Sequence, residues 1–190
     1  MHYDFAVIGG GAANKVASYA SSKGKEVALF ELGPLGGTCI NRGCNPSKML
    51  IHHAEILSKI SESRKFYIDA TVNEVDFGSI TDEVQDAISS MAEEIRIEKE
   101  KDPHLDLYRE EVEFIDDNTL SFADNEVTAD KIIVAAGSRP VVPSAIEGLE
   151  EVEYLTSDDA MFLDEKPDRL VILGGGYVAV ELGYFFDLVG

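Results

Sequence analysis

Basic residues are scarce in this chain of 190. Sixteen Lys and Arg stand against 36 Asp and Glu, for a formal charge of −20. A chain so poor in cations is unsuited to nucleic acid or an anionic membrane, both of which need clustered Lys and Arg. The excess acid fits either a high-salt cytoplasm or a well-solvated acidic face. Acidic residues gather between Glu147 and Glu165, read here as a surface crossing. Apolar runs are also short. None reaches 18 residues, so no segment reads as a membrane span. Met1-His2-Tyr3-Asp4 lacks the basic flank of a secretion signal, and a cytoplasmic location is expected. Cysteine is nearly absent. Only Cys39 and Cys44 occur, and a lone close pair in a cytosolic protein points to redox chemistry or metal binding.

What is present reads as α/β. Hydrophobic residues make up 45% of the chain, enough for a packed core. Tyr3 to Gly9 is a short apolar run ending in glycines, Ala12 to Ser22 has helical spacing, and Lys25 to Glu31 is a second buried run. Strand, helix and strand in about 30 residues is the length of a βαβ unit. A Gly/Pro-rich loop follows, then one helical stretch that holds both cysteines and continues through Ile60. Ile80, Val84, Ala87, Ile88, Met91 and Ile95 recur at three-and-four spacing and predict an amphipathic helix. From Leu105 onward, turns at Asp116-Asp117-Asn118 and Ala123-Asp124-Asn125 suggest small antiparallel strands. Lys131 to Ala135 is expected as a separate buried strand. Arg169 to Leu173, Gly174-Gly175-Gly176 and Tyr177 to Leu188 then read as a second strand, glycine turn and helix.

The first glycine element is Gly9-Gly10-Gly11-Ala12-Ala13-Asn14. Gly9 permits a sharp exit from the strand, Gly11 lets backbone amides approach a pyrophosphate, and the helix start adds its dipole. Asn14 stands where a third glycine is usual. Glu31, 20 residues past Gly11, is placed to accept hydrogen bonds from a ribose. The competing reading is a glycine-rich turn in another α/β fold.

The second element is Gly36-Gly37-Thr38-Cys39-Ile40-Asn41-Arg42-Gly43-Cys44-Asn45-Pro46-Ser47-Lys48. Five residues of regular helix advance about 7.5 Å, beyond the usual disulfide Cα separation, so a Cys39–Cys44 bond needs a distorted helix start. Gly43 and Pro46 supply the means. A thiolate there, near Lys48, would be reactive. No second ligand pair accompanies the cysteines, and neighbouring His52 and His53 point apart on a helix, so no metal is expected.

These motifs, with Ala135-Ala136-Gly137-Ser138-Arg139-Pro140 and Gly174-Gly175-Gly176-Tyr177-Val178-Ala179-Val180-Glu181, closely resemble those of class I pyridine nucleotide–disulfide oxidoreductases, the flavoprotein disulfide reductases. The resemblance covers essentially the whole chain and implies a Rossmann-like FAD-binding domain over 1–167. Its parallel sheet would carry a small antiparallel meander, and a second Rossmann-like NAD(P) domain would begin at 168–190. It implies that Cys39 is the interchange thiol and Cys44 the thiol against the flavin, where it forms a charge-transfer complex. Lys48 would lie near the flavin and pair with Glu181. Gly9, Gly11, Ala13, Asn14, Glu31, Gly37, Thr38, Ala136 and Gly137 become FAD-site candidates, with Val112 near adenine. Gly174, Gly176 and Ala179 become the pyrophosphate site of NAD(P)H, with Tyr177 as an aromatic gate, and Ala179 leans toward NADPH.

The resemblance further implies an enzyme of cell redox homeostasis, a homodimer at full length. It would pass electrons from NAD(P)H through FAD and the Cys39–Cys44 disulfide to a small disulfide. Asn14 and the run from Ala135 to Asp158 lean toward the mycothione reductase-like members. Dihydrolipoyl dehydrogenase and a non-catalytic flavin-binding module are the alternatives. Asn45 replaces an apolar residue usual before the proline. The four histidines, at 2, 52, 53 and 104, do not match the family's C-terminal His–Glu pair. Turnover is therefore expected of a longer parent and not of these residues alone.

Overall fold

The computed structural model describes residues 1–190. The chain divides into two compact units, each built from two stretches of sequence. Unit one is Met1–Asn41 with Ser89–Ser138, and unit two is Arg42–Ile88 with Arg139–Gly190. No helix is long and apolar enough to cross a membrane.

Unit one is a six-stranded α/β sheet. β1 (His2–Ile8) leads through α1 (Asn14–Ser21) to β2 (Val27–Phe30), whose four residues are all buried. A continuous apolar run of this kind marks a strand covered on both faces, the usual state of a parallel sheet. α2 (Gly37–Asn41) follows. β3 (Leu105–Tyr108), β4 (Glu113–Asp116), β5 (Thr119–Phe122) and β6 (Asn125–Val134) complete the order β3-β2-β1-β6-β5-β4. β3, β2, β1 and β6 are mutually parallel, while β4 and β5 run antiparallel beyond β6. Strand order reverses about β1, which is where sheets of this type leave a crevice outside their carboxyl ends.

Alternation along the strands sorts side chains into two cores. Val7, Val27 and Leu29 pack with Ala17 and Ala20 of α1 and with Ala13 just before it. On the other face Tyr3, Phe30 and Phe122 cluster with Leu120 and Val127. Phe30 stacks on Tyr108 at 4.9 Å, and the Tyr3 hydroxyl bonds Asp106 (2.7 Å) and Tyr108 (2.6 Å). Burial, the two hydrogen bonds and the neighbouring carboxylate push the Tyr3 phenol far above its ordinary range. The tail of α4 (Phe77–Glu100) ties down α1: buried Lys99 donates to Ser18 Oγ at 2.6 Å, and Ser21 Oγ donates to Asp102. A buried ammonium is tolerable only with such partners.

Unit two is helical. α3 (Cys44–Ser61), the first half of α4, and α6 (Tyr177–Val189) bury Leu50, Ala54, Val84, Ile88, Leu182 and Phe185 in one core. A short helix, α5 (Ser157–Ala160), adds Met161 to it.

Four expectations need correction. Leu105–Tyr108 is not part of the antiparallel meander but pairs parallel with β2. Lys131–Val134 is the second half of β6, because nothing between Asn125 and Val134 breaks an extended chain. The single helix across the cysteines is two helices. Arg169–Leu173 forms no strand: no neighbouring strand supplies ladder partners, and Val171 and Leu173 are exposed.

Candidate dinucleotide cradle and cysteine segment

In unit one the glycine loop leaves β1 between two neighbours. Gly9 N–H donates to Phe30 O (2.8 Å), and Ala135 N–H donates to Ile8 O (2.8 Å). At Gly9, φ is +109°, and a Cβ there would lie 2.1 Å from the Ala135 carbonyl oxygen. Only glycine fits this position. α1 then begins at Asn14 without a side-chain cap, and its first amides turn back onto the loop, Asn14 N–H to Gly11 O (3.0 Å) and Val16 N–H to Ala13 O (2.9 Å). Asn14 Oδ1 is buried and has no hydrogen-bond partner.

Glu31 closes the loop from behind. Its Oε2 accepts from Gly10 N–H (2.7 Å) and its Oε1 from Gly33 N–H (2.8 Å). Each carboxylate oxygen keeps a second lone pair that can meet a hydroxyl. Gly36 N–H donates to Gly10 O at 3.0 Å, which binds the second glycine loop to the first. The two backbones then nearly touch. At Gly37 φ is +61°, and a Cβ there would sit 2.5 Å from the Gly11 Cα. α2 starts at this contact and carries exposed Thr38 and Cys39. Asn41 ends α2, and its Nδ2 donates back to the carbonyls of Pro34 (3.0 Å), Leu35 (3.1 Å) and Gly37 (3.1 Å).

The remaining residues expected in this unit are arranged less tightly. Ala136 and Gly137 follow the exposed end of β6. Val112 packs against the aromatic cluster of Tyr3, Phe30 and Phe122.

In unit two, α3 begins at Cys44 after Gly43, whose φ and ψ of −148° and −111° are not helical. Arg42 and Gly43 thus separate the two helices. Pro46 lies in the first turn of α3, where an N–H has no intrahelical acceptor, so its missing donor costs nothing. The first regular bond is Ser47 N–H to Gly43 O, 3.0 Å. One turn on, Lys48 Nζ pairs with Glu181 Oε1 of α6. The Lys48 hydrogen bond holds the Glu181 carboxyl below its ordinary range against the opposing effect of burial, with help from Ser47. Both cysteines are exposed.

Asp158 stands between Arg42 (3.6 Å) and Arg139 (3.7 Å). Its helix α5 is capped by neighbouring Asp159, which accepts from the Thr156 N–H (2.9 Å) and hydroxyl (2.7 Å). Gly174, at φ +119°, and Gly176 have no atom within 4 Å of where a Cβ would stand. Tyr177 is exposed at the start of α6, and Ala179 follows two residues along.

The structure therefore brings together Gly9, Gly11, Glu31 and Gly37, and separately Lys48 and Glu181. Sequence reasoning passed over Gly10, Gly36, Asn41 and Ser47. The doubled glycines were a signal for the first two. An asparagine or serine that bonds to nearby groups has no periodicity to betray it.

Comparison with known proteins agrees with this geometry. The family described as pyridine nucleotide-disulphide oxidoreductase matches residues 3–190. A mercuric reductase of Staphylococcus aureus is 38% identical over 189 residues, covering 99% of this chain and 34% of that protein. A mycothione reductase of Mycobacterium tuberculosis is 36% identical over 196 residues, covering 99% and 42%. The solved structure of the HOCl-induced flavoprotein disulfide reductase RclA of Escherichia coli superposes with a TM-score of 0.84 at 30% identity, covering 99% of this chain and 40% of that one. The chain thus spans between 34% and 42% of the length of these three proteins.

Proposed function

Because the chain belongs to the pyridine nucleotide-disulphide oxidoreductases, we propose that it serves an FAD-dependent NAD(P)H:disulfide reductase acting on a low-molecular-weight, mycothione-like disulfide. The observation that carries this reading is the contact of Gly37 with Gly11. It sets a cysteine-bearing helix directly on a dinucleotide-type glycine loop.

The residues present fit FAD. A glycine turn leading into a helix N-terminus with its positive dipole end, a buried Asn14 oxygen without a partner and a backbone crossing that excludes any Cβ suit a pyrophosphate cradle. Gly9, Gly11, Ala13, Asn14, Gly37 and Thr38 would hold it, Glu31 would meet a ribose hydroxyl, and Val112, Ala136 and Gly137 would border the rest. When bound, FAD supplies two-electron chemistry between a reduced nicotinamide and a disulfide. Gly174, Gly176 and Ala179 would receive the NAD(P)H pyrophosphate, with Tyr177 covering the nicotinamide, in a second domain beginning near residue 168.

The chain's own chemistry is thiol–disulfide exchange. The Cys39 thiolate attacks one sulfur of the substrate disulfide, forming a mixed disulfide and expelling the first substrate thiolate. Cys44 then attacks Cys39, expelling the second thiolate and leaving the Cys39–Cys44 bond. Two electrons and two protons pass from the dithiol to the substrate. Lys48, held by Glu181, stands one turn beyond Cys44. In this reading the full-length protein is a cytoplasmic homodimer. The 38% identity to a mercuric reductase favours a second occupant for the same thiols, a soft divalent metal ion.

The test is anaerobic two-electron reduction of the FAD-reconstituted protein. A long-wavelength absorption band that Cys44→Ser abolishes and Cys39→Ser preserves supports the assignment, and the reverse pattern overturns it. Adding a small disulfide should bleach the band and release two new thiols. Bleaching by Hg(II) alone, with no thiol release, would favour the metal reading.

A further inference from the structure

Asn41 lies between the two cysteines in sequence, and the chemistry above gives it no part. Its position in the structure is unusual for an asparagine that ends a helix. One side-chain nitrogen faces three backbone carbonyls, those of Pro34, Leu35 and Gly37, at 3.0–3.1 Å. Such convergence exists only because Gly36 and Gly37 both adopt left-handed backbone angles, φ +107° and +61°. Cβ atoms would forbid the same turn: at Gly36 one would meet Ile40 at 2.8 Å, and at Gly37 one would meet Gly11 at 2.5 Å. The far side of this loop is tied to the first glycine loop through Gly36 N–H and, by way of Glu31, through Gly10. Asn41 is the tie on the near side.

We propose that Asn41 is a positioning residue for the Cys39 thiol: its amide pins α2 to the glycine loop and so fixes where Cys39 stands when it pairs with Cys44. The proposal rests on reading the two cysteines as a redox pair. The mechanical argument is direct. α2 has five residues, too few to be stable alone. Its C-terminus is followed by Arg42 and the non-helical Gly43, which impose no regular continuation. The Asn41 amide, shared among the three carbonyls, is the polar tie between the C-terminal end of α2 and its loop, beside the packing of Ile40 on Gly36; without it Cys39 is held less firmly. Pairing two thiols depends on their effective concentration, which falls as one of them is loosened.

The experiment is an equilibrium titration of the cofactor-free chain in dithiothreitol redox buffers, with the Cys39–Cys44 bond counted by thiol alkylation and mass. Asn41→Ala and the isosteric Asn41→Asp, which has no donor for the carbonyls, should each shift the equilibrium about tenfold toward the dithiol, equivalent to about 30 mV. Leu120→Ala, which cuts the core of the same sheet far from the loop, should lower the melting temperature without that shift. An unchanged equilibrium in both Asn41 variants, or an equal shift in Leu120→Ala, overturns the proposal. A parent chain that forms no intramolecular disulfide overturns the redox-pair reading itself, a separate outcome. In the unsubstituted protein the Asn41 side-chain amide protons should exchange slowly with solvent. Exchange as fast as that of exposed Asn118 also counts against the proposal, whether or not the variants fold.

Discussion

The two glycine turns of this chain have nearly the same sequence and different physical lives. Gly9-Gly10-Gly11 follows a strand paired on both sides, and its three residues are hemmed in by Ala135, Leu35 and Gly37. Gly174-Gly175-Gly176 follows an apolar segment with no ladder partner and meets nothing within 4 Å. A glycine fingerprint is therefore not a structure in itself. It is a permission for close approach, and it acquires rigidity only where another backbone takes it up.

The contrast is broken most sharply at its tight end. Gly9→Ala combines a forbidden approach to a carbonyl with a left-handed backbone, and should cost at least about 3 kcal/mol, enough to unfold unit one at moderate temperature. Gly37→Ala, opposing the softer Gly11 Cα, should cost about 2 kcal/mol and weaken FAD binding more than it lowers the melting temperature. Thermal denaturation with and without FAD checks both. In the open turn Gly174→Ala should cost only about 1 kcal/mol, the conformational strain alone, and Gly175→Ala should be neutral or stabilise by about 0.5 kcal/mol. Equal losses in the two turns, measured by denaturant unfolding, would erase the distinction.

A comparably small effect belongs to the Lys48–Glu181 pair. A carboxylate held below its ordinary range contributes stability that is fully present above the unfolded pKa, near 4.5 for Glu, and is lost as pH falls through the folded value. Because the pair is partly solvated, Lys48→Met should cost about 0.5 kcal/mol at pH 7. The melting temperatures of parent and variant should converge as the pH falls from the unfolded value through the lowered folded one. A gap that stays constant to pH 3 would assign the loss to packing of the lysine stem instead.

Local pattern made much of this fold legible and pairing the rest opaque. The β1–α1–β2 unit and the long α4 follow from hydrophobic period, which the chain carries within itself. Leu105–Tyr108 alternates as an antiparallel strand would, but its direction is set by β2, far away in sequence. Val171-Ile172-Leu173 has every intrinsic mark of a strand and forms none, because a ladder needs a second strand. At the candidate site, spacing and resemblance single out Gly9, Gly11, Glu31, Lys48 and Glu181, and the loop contacts and the Lys48–Glu181 pair are what the folded chain adds. The break at Arg42–Gly43 was anticipated as distortion, though its form as two helices was not. Asn41 escaped notice because three carbonyls converging on one amide are visible only after the loop has folded.

The pairing of β1 with β6 has a consequence for the chain's birth. Ile8 lies opposite Val134, so the first strand made waits for one of the later segments before its second edge is covered. At ribosomal rates of about 5–20 residues per second, that interval lasts many seconds. Throughout it Ala6 and Val7, wholly buried in the finished protein, border an open edge able to recruit another nascent chain. Production of this protein at high level should therefore be limited by early aggregation, and slower translation or a chaperone that shields the N-terminal strand should raise its soluble yield.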